Sequence, residues 1–565
     1  MTQIQPQARE EPIMQSNGSP EPQPSTPQGS TSQIAEKPEP PVEQDYPPTS
    51  KVVAIISGLF LTAFLISLDR FVVGVAVPRI TDQFHSLGDV GWYGSAYLLT
   101  ACAFMLFLGR LYTMFNPKWV YLTALVVFEL GSAVCGAAPN SKTFIVGRAI
   151  AGLGCAGLFQ GAIIIMVHIV PLHRRPQIMG LGGMVLGIAS AVGPLIGGAL
   201  TSGPGWRWCF YINLPCGAVA IAMIAIFLDI PLEMLQQKST TLREKAARLD
   251  WFGTACFLPS IICFILALQW GGVTYSWSNA HVVVLLVLAG VLFVAFILIQ
   301  RWKGKDATVP GQIILNRSIL AGVWFSFYNG ACMQTLLYFL PIWFQAIKGA
   351  SPIKSGIMTL PLVIGLVIAS VSAGILTKKI GYFTQWMILS SIITPIGAGL
   401  TSTFSVHTGH AVWITAGALS GFGFGVGSQQ PSVAAQTVLS RQDVPIGASL
   451  MMFSQMLGGA VFISVGNNIF DSQLAKNLGN IPGSNVASIV ATGATELRSI
   501  VSSSMLPQVL VAYNDALRHT FYLSTALACV TIFGSVAMQW KSVKKQQQKK
   551  VDDIAQEKNQ QRQEV

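Results

Sequence analysis

Apolar runs of about 20 residues, broken by short polar loops, recur along this chain at 52–77, 92–113, 119–138, 143–167, 178–200, 210–228, 251–270 and 282–299. Further runs follow at 319–344, 353–376, 386–404, 411–438, 446–470 and 521–540. A helix of about 20 apolar residues crosses about 30 Å of hydrocarbon, so the pattern predicts fourteen membrane-spanning helices. Short segments of alternating polarity, the mark of a membrane barrel, are absent. Residues 1–50 are rich in Pro, Gln, Ser, Thr and Glu and read as a disordered tail. That tail has no apolar core of a signal peptide, which leaves targeting to the first span, and its Asn17-Gly18-Ser19 sequon is expected to face the cytosol unmodified. Residues 541–565 form a basic tail, and 471–520 read as a long loop whose amphipathic stretch at 496–516 suits a membrane surface.

Composition agrees with the pattern. Of 565 residues 52% are hydrophobic and only 10% charged, and the mean hydropathy of +0.54 lies outside the range of a soluble globular chain. The net charge of +11 does not point to nucleic acid, because the basic residues are scattered between spans or gathered in the tail. They follow topology instead. Arg110, Lys118, Arg174, Arg175, Arg301, Lys303, Lys378 and Lys379 fall in alternate loops that the positive-inside rule assigns to the cytosol, so an even number of spans places both tails there. All nine cysteines lie in or beside apolar runs and read as small hydrophobes, with no metal-ligand spacing and no disulfide framework. Phosphate-loop, HExxH and GxSxG patterns are absent, which argues against nucleotide hydrolysis and against an enzyme, and no cofactor is expected. The stretch Gly152-Leu153-Gly154-Cys155-Ala156-Gly157 matches a dinucleotide fingerprint formally, but within a span it reads as helix packing.

Charge inside a span is costly and marks candidate chemistry. Asp69 and Arg70 fall on the first span, Glu129 on the third and Arg148 on the fourth. Counted along the helices, Asp69 and Arg148 share the outer half, where they could pair, and Glu129 lies near the midplane. A carboxylate in such a place can exchange a proton as its surroundings face alternate sides; the competing reading is a static pair that clamps helices. Asp69 and Arg70 diverge by about 100°, so one is expected to line a cavity while the other pairs elsewhere. The fifth span carries small residues at four-residue spacing around Pro194, a surface made for close approach. In the second half, amides and aromatics replace charge, and Gln334, Tyr338, Gln429, Gln430 and Gln455 are expected to line a cavity for amphiphilic organic molecules, without demand for a particular charge. A weak repeat links Gly109-Arg110-Leu111 with Gly374-Ile375-Leu376, at matching places in two six-span halves.

Several stretches resemble the fourteen-span drug:proton antiporters of the major facilitator superfamily. They are LDRFVVGVAVPRI from Leu68, GRAIAGLGCAG from Gly147, GIASAVGPLIGG from Gly187 and WRWCFYINLPCG from Trp206. Two later stretches, GFGFGVGSQQPSVAAQTVL and DVPIGASLMMFSQMLGGAVFISVGNNIF, are similar to spans of fungal pumps that export toxins and other secondary metabolites. The resemblance implies proton-coupling roles for Asp69 and Arg148, to which the reading of the residues adds Glu129. It makes Gly187, Gly193, Pro194, Gly197 and Gly198 an antiporter motif at a helix interface. The loop after the second span departs from the family pattern, with Thr113 at its acidic position and Met114 at its basic one.

The expected architecture is therefore an all-α integral membrane protein of the major facilitator fold. A six-helix bundle at 51–230 and another at 319–540 flank a central segment, 231–318, that carries two extra helices. The expected function is proton-coupled export of small organic compounds by alternating access. A proton-coupled importer or vacuolar carrier of siderophores or basic amino acids is the alternative. The expected partners are a small-molecule substrate, protons and the bilayer, with the chain a monomer in the plasma membrane or, alternatively, the vacuolar membrane.

Overall fold

The first N–H groups of a helix have no partner within it, and where several spans begin the sequence supplies a side chain for one of them. Asn116, Asn140, Asn279 and Asn316 accept hydrogen bonds at 2.9–3.0 Å from the backbone N–H groups of Lys118, Thr143, His281 and Ser318. Pro117, Pro176 and Pro445 occupy first-turn positions, where a missing N–H costs nothing. The structure, a computed structural model, describes residues 47–86, 89–229, 244, 249–272, 275–440, 442–481, 501–502, 504–546 and 548. Most of the N-terminal tail, with its Asn17 sequon, falls outside them.

The first half contains α1 (Thr49–Phe84), α2 (Val90–Met114), α3 (Pro117–Ala137), α4 (Ser141–Ile169), α5 (Arg175–Ser202) and α6 (Asn213–Phe227). The central pair is α7 (Trp251–Trp270) and α8 (Ala280–Lys303). The second half contains α9 (Arg317–Ala346), α10 (Leu360–Ile380), α11 (Thr384–Ser402), α12 (His410–Ser428), α13 (Val444–Gly479) and α14 (Leu506–Ala537). Twelve helical segments among the described residues are long and apolar enough to cross a membrane. The remaining two rods, α9 and α11, pack in the same bundle, α9 on α13 and α14 and α11 on α12 and α14.

Within the first half α4 packs on α2 and α3, and α1 on α5 and α6. Within the second, α12 packs on α10 and α11, and α9 on α13 and α14. The central pair leans on α2 and α13 through α7, while α8 turns Val284, Val287, Val291 and Leu298 outward. Asp250 ties this hairpin together, accepting from Gly253 N, Gln300 Nε2 and Thr308 Oγ1, with Lys303 Nζ at 3.7 Å. Arg110 pins the same corner to α2 through Asp306 at 3.7 Å.

The 471–520 segment corrects the sequence reading. Of its residues, 482–500 and 503 lie outside the described ones, but α13 runs on to Gly479 and α14 begins at Leu506. Leu474, Leu478, Val509, Leu510, Tyr513 and Leu517 are buried together, so the end of the supposed amphipathic stretch faces protein. Asn477 donates to Asp515 Oδ2 and Trp343 to Asn514 Oδ1, holding the two helices to each other and to α9. Asp471 and its polar neighbours mark where the apolar run ends, and the helices continue past that point.

The two halves meet most closely at the end where α1 begins and the basic loops lie. There α5 crosses α10, and α13 crosses α2. A Cβ on Gly374 would strike the Pro176 carbonyl and come within 3.2 Å of Gly180 Cα. A Cβ on Gly109 would strike Ser449 and come within 3.4 Å of the Pro445 carbonyl. Pro176 and Gly180, like Pro445 and Ser449, are the second and sixth residues of their helices. The two glycines of the sequence repeat therefore do the same thing in each half, letting a helix of one bundle lie against the first turns of a helix in the other. Lys378 Nζ adds a 2.8 Å bond to Gln177 Oε1 across the first crossing. At the opposite end the approach is ordinary contact, with a Cβ on Gly198 3.8 Å from Ile353 and one on Gly356 3.8 Å from Pro194.

Overpacking a tight contact costs about 1–3 kcal/mol, so Gly374→Val is expected to push this end apart. In a chain whose native cysteines are replaced, the Gln177→Cys/Lys378→Cys pair should cross-link roughly tenfold less once Gly374→Val is added. The lipid-facing substitution Gly290→Val, with nothing near its added Cβ, should leave cross-linking alone. Equal yields with and without Gly374→Val would show that the glycine is not what lets this end close.

Candidate functional site

Asp69 sits midway along α1 and Arg148 in the second turn of α4, and both side chains are fully buried. Arg148 Nη1 donates to Asp69 Oδ2 at 2.6 Å. The same guanidinium donates through Nε to the Tyr93 carbonyl at 2.9 Å and lies 4.4 Å from the centre of the Tyr97 ring. Tyr93 is held in turn by its hydroxyl, which donates to Ser141 Oγ at 3.0 Å, while Ser141 donates to Asp89. The other carboxylate oxygen of Asp69 accepts from Asn213 Nδ2 of α6 at 3.4 Å, and that amide also donates to Ser132 Oγ of α3 at 3.1 Å. Five of the six helices of the first half thus contribute side chains to one charged cluster, α2 through the Tyr97 ring and, by its backbone, the Tyr93 carbonyl.

Glu129 lies one turn from this cluster. It precedes Ser132 by three residues on α3 and packs on Gly217, which follows Asn213 by four on α6; both spacings place neighbours on one helix face. A Cβ at Gly217 would strike the Glu129 carboxyl, so only glycine there leaves room for it. The side chain is buried, and neither carboxylate oxygen has a hydrogen-bond partner among the described residues. An isolated ionised carboxylate in such a place is costly.

Between the two halves lies a cavity of about 200 Å³. Arg70, Tyr97, Phe159, Gly187 and Ser190 line it from the first half, and Gln334, Phe424, Gln429, Met452 and Gln455 from the second. Of the five expected cavity residues, Gln334, Gln429 and Gln455 are there. Tyr338 and Gln430 are not. Tyr338 lies one turn beyond Gln334, is 43% exposed and meets Phe339 edge-on at 4.9 Å. Gln430 follows Gln429 and so turns about 100° away from it; it is buried, donating to the Val426 carbonyl at 3.3 Å and accepting from Thr377 at 3.4 Å. Other amides hold elements together, as Gln436 does with Met179 of α5 and Asn468 of α13 with Trp277 in the turn between α7 and α8.

The small residues of α5 divide by height. Gly180, Gly183 and Gly187 face Ser370, Gly374 and Val367 of α10, whereas Gly193 and Gly197 face Phe71 and Val72 of α1. Gly198 and Pro194 meet the segment before α10 at Ile353 and Gly356. The motif helix therefore packs on α10 through Gly180, Gly183 and Gly187 and on α1 through Gly193 and Gly197, and its far end also meets the other half. In α4, a Cβ on Gly154 would lie 2.7 Å from Phe128 Cα, which makes the dinucleotide-like stretch a packing seam.

Sequence reasoning missed three members of the site. Tyr97 is hidden in an apolar run, although a tyrosine on α2 could have been matched to Arg148 by depth. Asn213 and Ser132 are short polar side chains near the same end of their spans, and depth counting would have placed them beside Asp69.

A model of the Major Facilitator Superfamily matches residues 59–463. The MFS-type transporter VdtG of Byssochlamys spectabilis is 48% identical over 505 residues, covering 89% of this chain and 90% of its own. The MFS-type efflux pump MFS1 of Trichophyton rubrum is 49% identical, covering 87% of this chain and 92% of its own. The efflux pump aflT of Aspergillus parasiticus is 48% identical over 87% of this chain and 96% of its own. Among solved structures, the human organic anion transporter MFSD10 aligns with a TM-score of 0.52 at 15% identity, covering 85% of this chain and 100% of its own, a likeness of fold alone. On family model, relatives and architecture together, the chain belongs to the major facilitator superfamily.

Proposed function

We propose that this chain is a proton-driven exporter of small organic compounds, with fourteen crossings and both tails in the cytosol of a cell whose plasma membrane it spans. The observation that carries the reading is the buried Asp69–Arg148 pair, separated by the Tyr97 ring from a cavity that both halves line. The names of the relatives, two of them efflux pumps, support the outward direction. Protonating Asp69 removes the partner of Arg148 and leaves a guanidinium held only by the Tyr93 carbonyl and the Tyr97 ring. Because Tyr97 also lines the cavity, a change on one side of the ring is felt on the other. Each inward proton supplies about 2.3 kcal/mol per 100 mV plus its pH term, enough for a tenfold or greater gradient of a neutral compound.

The crossings α5–α10 and α2–α13 close the basic-loop end, which this reading makes the cytosolic gate. Release outward requires these contacts to hold while the opposite end parts; uptake of cargo requires them to open. Glu129, buried without a partner, is a second place where a proton can reside, one turn nearer the cytosolic end than Asn213.

In proteoliposomes with an imposed pH gradient, wild-type protein should accumulate an amphiphilic aromatic probe on the acidic side, and the direction of that flux decides between exporter and importer. Asp69→Asn mimics the protonated state, so the chain must tolerate it, yet it is expected to lose gradient-driven accumulation about tenfold or more, the usual scale of coupling between sites. Full accumulation by Asp69→Asn or by Arg148→Lys would remove this pair from the coupling mechanism.

Glu129→Gln keeps the shape beside Gly217 while removing the titratable group. It should lower the number of protons taken up per probe molecule, read as the slope of accumulation against the imposed gradient, while downhill flux persists. A slope equal to wild type would assign Glu129 a packing role.

A further inference from the structure

A guanidinium carries its charge at every physiological pH, and inside a protein it is matched by a carboxylate, by carbonyls or by water. Arg148 is matched by Asp69. Arg70, the next residue on α1 after Asp69, is not: it makes no ion pair and no hydrogen bond among the described residues, and it lines the cavity between the halves. The rest of the lining contains no second charge. Its polar members are neutral: Ser67, Tyr97, Ser190, Ser428 and the amides Gln334, Gln429 and Gln455. The nearest carboxylate in sequence, Asp69, is turned the other way and already engaged by Arg148 and Asn213. The cavity therefore carries one uncompensated positive charge, set among Phe71, Phe159, Phe424, Met333, Met452 and Met456.

We propose that the missing counter-ion is the cargo: Arg70 selects organic anions, molecules with a compact aromatic or aliphatic body and one carboxylate, phenolate or similar oxyanion. The planar fork of the guanidinium donates to two oxygens at once, a geometry that amide-lined walls cannot supply. The adaptable aromatic and thioether walls take up the body without reading its outline. This rests on the transport reading above and narrows it, replacing a cavity indifferent to charge with one that prefers a negative occupant. It also fits the energetics of export, because an anion leaving a negative cytosol moves down the membrane potential while a proton enters down the same potential.

The test is equilibrium binding to the full chain in lipid nanodiscs, at one pH and with no gradient, of three probes sharing one ring system: naphthoate, naphthamide and naphthylmethylammonium. Wild type should bind naphthoate about tenfold or more tightly than naphthamide, the scale of one hydrogen bond to a charged group, and the ammonium most weakly. Arg70→Gln should bring the naphthoate-to-naphthamide ratio close to one, and Arg70→Lys should restore part of it. A wild type that binds the three alike or favours the ammonium overturns the proposal, as does an Arg70→Gln variant that keeps the wild-type ratio. Where a variant does not yield folded protein, the order of the three probes on wild type decides. Binding that follows this order in a protein without proton-driven flux would sink the coupling mechanism and keep the anion site, and the converse would sink the anion site alone.

Discussion

A guanidinium enclosed by helices must find its partners within the protein, and the first half of this molecule is arranged around that requirement. Arg148 is met by a carboxylate from α1, by a backbone carbonyl from α2 and by the face of a tyrosine one turn further along α2. Removing one partner from a buried pair typically costs about 3–5 kcal/mol, so the charge state of Asp69 sets the balance of the whole cluster. The carboxylate is in turn fixed by Asn213, which reaches Ser132, so one hydrogen-bonded network ties α1, α3, α4 and α6 together. The Tyr97 ring, shared between the pair and the cavity, is what gives that balance a reader outside the cluster.

The second constraint is how closely two bundles can approach without being joined. In lipid no hydrophobic force drives helices together, so close approach depends on small side chains at the crossing. Here the same device appears twice, Gly374 over Pro176 and Gly180, and Gly109 over Pro445 and Ser449. Both crossings lie at the basic-loop end and both use the first turns of the receiving helix, so the halves are held at one end by matched seams. Contacts at the other end are of ordinary length. A pivot with one tight end and one ordinary end has a preferred direction of opening, which two uniformly packed bundles would lack.

Much of this was legible in the sequence, because lipid imposes strict spelling rules. Apolar runs located the long helices α1–α14, and intramembrane charge singled out Asp69, Arg70, Glu129 and Arg148, with Asp69 and Arg148 at a depth where they could pair. The glycine repeat marked two loops as equivalent, though only the folded chain shows that their glycines face equivalent partners. Legibility failed where direction around a helix mattered. Gln430 and Tyr338 have the chemistry of cavity residues, but one residue or one further turn carries them out of it, and composition holds no record of that rotation. It failed as well at 471–520, where polar residues were read as the end of helix. Polarity marks where lipid ends, and α13 and α14 go on because they have each other to bury against.

Three consecutive residues show how the parts connect. Successive side chains on a helix diverge by about 100°, so Asp69, Arg70 and Phe71 leave α1 in three directions. Asp69 enters the ion pair and Arg70 the cavity, while Phe71 presents its Cβ to Gly193 of α5 at a distance that only glycine permits. Two turns back along α5, Gly187 lies against Val367 of α10, and Gly180 beyond it forms the seam with Gly374. One turn of α1 thus touches the buried ion pair, the cavity and the helix that packs on both halves. Residues that adjoin on one turn move together, and that linkage is what the proposed coupling of proton and cargo requires.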